Sequence, residues 1–247
     1  MSIHEPSESL PLGEPHIASR GVLVERRCFM ASAAAAFAAA GLPGLARAGS
    51  VDPRIDALTF DDFLEEVVPL ARSLVADTSF AGQSRYLHTL AAHAVRLGDV
   101  AQPEMRANGE GKFIGANEGG DPFVVLHWRM EAGAEILPHP HIYGNVVTLA
   151  LEGEVRVCNY EIVGARDFDT KQGFVIRRTL DQWLTRGSTN LVNLERSYVH
   201  GFVAGAAGAR GLDITTRVRE KRPTPALEIG KLVDAARSEF EARWGVG

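Results

Sequence analysis

Two histidines stand one residue apart in LPHPHIYGNVVTLALEG, residues 137–153. On an extended strand, side chains at i and i+2 point the same way, roughly 7 Å apart at their roots. His139 and His141 can therefore aim two imidazole nitrogens at one ion, at about 2.0–2.2 Å each. Proline precedes each of them, and Pro138 and Pro140 remove backbone donors and stiffen the segment, as expected at a sheet edge or strand start. Alone, the pair leaves two readings open: metal ligands, or two imidazoles beside a turn.

The other histidines offer less. His88 and His93 lie five apart in a helical pattern and do not share a face as an i, i+4 ligand pair would. His127 alternates with Val125 and Arg129 along a strand, which suits a satisfied core or rim residue. His200 alternates with Tyr198 and Phe202, so its face is apolar and aromatic.

The elements that must position these side chains fall into three blocks. Residues 49–120 read as a helical extension and a loop. Phe60, Phe63, Leu64, Val67, Leu70 and Leu74 recur at helical steps, with Thr59 as N-cap and Pro69 as a point of kinking. A second helix is predicted near 82–97, and the Gly- and Asn-rich stretch 108–120 reads as a surface loop. From 121 to 220 the texture changes to short runs rich in Val, Ile, Leu and aromatics, among them PFVVLHWRM, NVVTLALEG, EVRVCNYEIV and GLDITTRV. Gly, Asp and Asn punctuate them every eight to twelve residues, the signature of an all-β sandwich or barrel. Residues 221–247 return to helical spacing, with Ile229, Leu232, Val233, Ala236, Phe240 and Trp244 on one stripe, so a C-terminal helix is predicted.

The region 123–218 resembles the cupin superfamily. Gly133, then His139-Pro140-His141, then Gly153 match the frame of its first motif. That resemblance implies a mainly β fold, a double-stranded β-helix or jelly-roll barrel flanked by N-terminal helices and the C-terminal helix. It also implies a third ligand, His200, from a late strand. Asn145 and Val146 stand where the cupin pattern carries a glutamate ligand. Glu195, Ser197 and Ala204 replace the proline, glycine and asparagine of the second motif. A three-histidine set is similar to that of the thiol dioxygenases, and HGFVAGAAGARGLDITTR resembles the end of the plant-cysteine-oxidase and aminoethanethiol-dioxygenase type.

The resemblance implies Fe(II) at His139, His141 and His200, with Mn, Ni and Zn as alternatives, and a small thiol and O2 as reactants. Three neutral imidazoles leave the ion its full +2 charge, which suits a thiolate. Tyr198 and Asn145 are the expected catalytic residues beside the ion, and Arg129 is a candidate for a substrate carboxylate. Cys158 is too far along the chain from His141 to match the cysteine of the Cys-Tyr cross-link known in some cysteine dioxygenases. Competing readings are a zinc hydrolase or isomerase, and a cupin that binds metal or a small ligand without turnover. A homodimer joined through sheet edges is open.

The first 48 residues read differently. Arg26-Arg27-Cys28-Phe29-Met30 is followed by a weakly apolar Ala-rich run ending in Ala46-Arg47-Ala48. This resembles a twin-arginine signal, and implies engagement of the twin-arginine export machinery, cleavage after Ala48 and a periplasmic or extracellular protein. Cys158 would then be the remaining cysteine, with no internal disulfide. The 247 residues are 45% hydrophobic and 23% charged, ordinary globular composition. A formal charge of −5 argues against nucleic acid as a partner, and no apolar run outside the N-terminal region is long enough for a stable membrane span.

Overall fold

A computed structural model describes residues 57–118, 122–220 and 225–245. The expected signal, residues 1–48, lies outside them. Two helices come first, α1 (Phe60–Ala76) and α2 (Phe80–Ala94). Thr59 caps α1 by accepting from the Asp62 N–H at 3.1 Å, and Ser79 caps α2 by accepting from Gly82. Pro69 sits within α1 without dividing it. Among the described residues no helix is long and apolar enough to cross a membrane.

Among the described residues ten strands follow: β1 (Arg106–Ala107), β2 (Lys112–Glu118), β3 (Phe123–Met130), β4 (Glu135–Pro140), β5 (Gly144–Ile162), β6 (Phe174–Thr185), β7 (Thr189–Val192), β8 (Val199–Arg217), β9 (Leu227–Asp234) and β10 (Glu239–Trp244). They form one curled antiparallel sheet in the order β1-β2-β3-β8-β5-β6-β10-β9, with β4 paired to β8 and β7 to β5. The loop expected over 108–120 is a short turn followed by β2, which pairs with β3.

The two 19-residue strands shape the fold. The first half of β5 pairs with the second half of β8, and the second half of β5 pairs with the first half of β8. Their ladder is interrupted at Ala150/Glu152 and Gly153/Val155. There Gly153 has φ +66°, and a Cβ on it would meet the Gly208 carbonyl oxygen at 2.1 Å. Only glycine fits, and the bend it allows carries both strands from one layer to the other. That is the physical reason for the glycine that closes the histidine motif.

Alternation along these strands separates two apolar clusters. Val147 and Leu149 of β5, Leu212 and Ile214 of β8, and Phe123 and Val125 of β3 pack against α1 and α2 through Phe63, Val67, Leu74, Leu87 and Leu90. The remaining core positions turn inward, with the parity of β5 and β8 changing over at the interruptions at Ala150/Glu152 and Gly153/Val155, and there Trp128, Ala150, Val155, Val157, Leu184 and Phe202 form the barrel core. Arg129 is exposed and stacks its guanidinium on Phe113, so it faces away from that interior.

The C-terminal helix is not formed. Residues 227–244 make the β9–β10 hairpin, and β10 pairs with the edge of β6 from Glu239↔Arg177 to Ala242↔Phe174. The stripe read at helical steps also holds a two-residue period, and the second pattern prevails because β6 offers both a hydrogen-bonding edge and an apolar cluster. Leu227, Ile229, Phe240, Ala242 and Trp244 join Tyr160, Ile176 and Tyr198. Leu232 and Val233, which a helix would have buried, are about half exposed (51% and 46%).

Candidate metal centre

β4 delivers the first histidine and β8 the last. His139 and His200 are Cα partners in the β4–β8 pair. Close approach of the two strands depends on Gly201, since a Cβ there would meet Pro138 at 2.9–3.1 Å. His141 lies just past β4, and its backbone N–H donates to the Tyr198 carbonyl at 2.7 Å. The prolines thus set the path of β4, and one backbone bond pins the second ligand.

The three Nε2 atoms converge. His141 Nε2 lies 3.2 Å from His139 Nε2 and 2.8 Å from His200 Nε2. Donors about 2.1 Å from a common ion, at octahedral or tetrahedral angles, would lie roughly 3.0–3.4 Å apart. His139 Nδ1–H donates to the Leu137 carbonyl at 2.9 Å, which leaves its Nε2 with a bare lone pair. A proton on one Nε2 can serve at most one of the two close contacts, whereas a cation among the three nitrogens relieves both. His141 Nδ1 is buried without a hydrogen-bond partner among the described residues. The donor set fits a divalent ion, and the cluster contains no carboxylate among the described residues.

Electrostatics favours the ligating form. Burial lowers the pKa of all three imidazoles, and the charge of neighbouring rings pushes His141 and His200 further down. They are therefore neutral near pH 7, with lone pairs available.

The fold is mainly β, a curled antiparallel sheet of the double-stranded β-helix kind. No protein-family model matches the chain, and no curated protein matches it. Among solved structures it is similar to KdgF from Halomonas sp., at 15% identity and a TM-score of 0.36, over 47% of this chain and 89% of that one. It is similar to a cupin superfamily protein from Desulfitobacterium hafniense at 16% identity and a TM-score of 0.32, over 45% and 83%. The coconut allergen cocosin matches at 17% identity and 0.36, over 49% of this chain and 30% of that one.

Two expected site residues lie elsewhere. Asn145 is the Cα partner of Thr216, whose hydroxyl bonds the Tyr86 hydroxyl of α2, so Asn145 belongs to the helix-facing layer. Its Oδ1 accepts from the Leu194 N–H at 3.0 Å and anchors the segment after β7. Tyr198 precedes β8, and Ser197 at φ +54° breaks the alternation that would have placed it beside His200. Its hydroxyl accepts from the Ile162 N–H at 2.9 Å, and its ring packs edge-on against Phe168. At the centre the Tyr198 carbonyl accepts the His141 N–H, while its phenol is engaged by Ile162.

Other residues surround the imidazoles instead. Phe202 packs its ring 4.5 Å from that of His200, and Trp128 stacks on Phe202 at 5.8 Å. The Tyr143 ring lies 6.2 Å from that of His141. Asn159 is the Cα partner of His200, and it bonds Asn190 of β7. Thr148 is the Cα partner of both Asn190 and Asp213, and its hydroxyl donates to Asp213 Oδ1 at 2.6 Å. Burial raises the Asp213 pKa to about 6, against the Thr148 hydroxyl and Trp128 indole, which lower it. The signal for these residues was a polar side chain at an inward position of an apolar strand, as with Asn159 after Val155 and Val157. A surface cavity of about 610 Å³ lies along β6, β9 and β10 beside Phe174, Ile229 and Arg243, and no histidine lines it.

Proposed function

We propose that this protein is a metal-dependent cupin oxygenase that adds dioxygen to a small thiol at a three-histidine Fe(II) centre, giving a sulfinate. The observation that supports it is the convergence of His139, His141 and His200 without a carboxylate. Three neutral donors leave a divalent ion strongly electrophilic, and so receptive to a thiolate. Bound there, Fe(II) would supply the open positions at which thiolate and dioxygen are brought together.

The protein's own residues do the rest. The Leu137 carbonyl holds the His139 tautomer, and the Tyr198 carbonyl holds His141 in place. Phe202 and Trp128 make an apolar wall beside His200 that excludes water from one side of the centre. Asp213 is a buried carboxyl beside Trp128, and it can hold or release a proton near pH 6.

The test is oxygen uptake by iron-loaded protein with a panel of small thiols, read together with sulfinate formation. Stoichiometric uptake with one thiol supports the reading, and no uptake from a fully loaded sample removes it. The all-imidazole ligand set also suits catalytic zinc, where bound water ionises near pH 7. Ester or amide hydrolysis by zinc-loaded protein, without thiol oxidation by iron-loaded protein, would select that reading. We also propose export by the twin-arginine route with cleavage after Ala48. Amino-terminal sequencing of secreted protein, and its loss from the periplasm on Arg26→Lys with Arg27→Lys, would support this.

A further inference from the structure

His200 meets the protein on its far nitrogen through a pair of buried amides. Asn159 and Asn190 are 2% and 1% exposed, and they bond each other reciprocally. Asn159 Nδ2 donates to Asn190 Oδ1 at 2.8 Å, and Asn190 Nδ2 donates back to Asn159 Oδ1 at 3.1 Å. Asn159 Nδ2 also donates to the Leu191 carbonyl at 3.2 Å. Three of the four amide hydrogens are thereby used within the pair and its anchor. The fourth, on Asn190 Nδ2, faces His200 Nδ1 at 3.5 Å.

We infer that the Asn159–Asn190 pair positions His200 for metal binding, and is more than a self-satisfied polar patch in the core. The inference rests on the three-histidine centre proposed above. A ligating imidazole is held by a partner on its second nitrogen, which fixes ring orientation and basicity. For His139 that partner is the Leu137 carbonyl, and for His200 it is this amide pair. When Nε2 is engaged by an ion, Nδ1 carries the hydrogen and requires an acceptor. Reversing both amides together keeps the two mutual bonds and turns Asn190 Oδ1 toward Nδ1–H. The cost lies at Leu191, where the Asn159 bond is lost and Asn159 Oδ1 turns toward the carbonyl oxygen. The pair can therefore serve His200 with or without a bound ion, which neither a lone asparagine nor an apolar residue could do.

A purely structural pair and a positioning pair differ in what they do to Co(II) bound by the full-length protein. Replacing both partners by apolar groups of similar shape leaves no orphaned amide, so Asn159→Leu with Asn190→Leu is expected to fold. That double variant should bind Co(II) about tenfold to hundredfold more weakly than wild type, with a shifted visible absorption spectrum. The isosteric Asn190→Asp should instead tighten binding several-fold, roughly as expected when a carboxylate replaces an amide as acceptor. Wild-type affinity and spectrum in both variants would overturn the inference, and if the double variant does not fold, an unchanged Asn190→Asp overturns it alone. Failure of the wild type to bind Co(II) would instead reject the metal centre itself.

Discussion

His139 and His200 face each other across the β4–β8 pair, with ring centroids 4.8 Å apart, although sixty-one residues separate them in the chain. Their meeting needs a strand stiffened by Pro138 and Pro140 on one side and a glycine, Gly201, on the other. His141 then closes the triangle from just beyond β4. The centre is thus a property of the strand pairing, with each ligand held by a backbone contact or a buried partner.

Removing one vertex should empty it. His200→Ala is expected to fold, because Phe202 and the surrounding core remain, and to lose most of its bound divalent metal. Metal analysis of purified variant and wild type, both supplied with Fe(II), checks this. Full metal content in the variant would refute the three-histidine centre. Metal should also stabilise the wild type alone: at about a hundred times the dissociation constant, binding contributes roughly 2.7 kcal/mol.

Tyr198→Phe separates a catalytic phenol from a structural one. The hydroxyl accepts the Ile162 N–H in a buried setting, so its loss leaves that donor unpaired. A destabilisation of about 1–3 kcal/mol is expected, with metal content unchanged. Denaturant unfolding and metal analysis on one preparation give both readings. Lost metal or oxygen chemistry in a well-folded variant would return the phenol to the site.

Part of this architecture was legible in the chain. Thr59 and the apolar steps of α1 gave the first helix, because N-caps and amphipathic stripes are local signals. His139, His141 and Gly153 marked the barrel, since spacing along one strand fixes the face. The course of the chain at Tyr198 was not legible, because alternation holds only inside a strand, and Ser197 turns the chain two residues before β8 begins. The layer that Asn145 faces was not legible either, because the parity of β5 can be read from sequence but its assignment to the helix layer cannot. Asn159 and Asn190 come from two strands, and only the register brings them to His200, as it brings Asp213 to Thr148. The C-terminal hairpin was missed because its residues satisfy two periods, and the free edge of β6 decided between them.

The bend at Gly153 should tolerate no side chain. Gly153→Ala puts a Cβ against the Gly208 carbonyl and strains a backbone at φ +66°. A loss of at least about 2 kcal/mol is expected, with lower metal affinity because both long strands shift. Thermal unfolding and metal titration of the variant would show it. Wild-type stability would mean that the two strands pass between layers by another route.

Asp213 makes stability depend on pH in a direction opposite to that of most carboxylates. Its folded pKa, about 6, is raised from the ordinary 3.8 by burial. Between these values the folded state holds a proton that the unfolded state has released. The stabilising contribution is therefore full below pH 4 and is lost as pH rises through 6. The difference amounts to something on the order of 3 kcal/mol once the buried carboxylate is fully ionised. Asp213→Asn removes the titration while keeping an acceptor for the Thr148 hydroxyl at 2.6 Å. Metal-free variant and wild type should thus differ little in stability at pH 4, and the variant should be the more stable at pH 8. Urea unfolding at the two pH values measures this, and equal stabilities at pH 8 would mean that Asp213 ionises in a wetter interior than its packing against Thr148 and Trp128 implies.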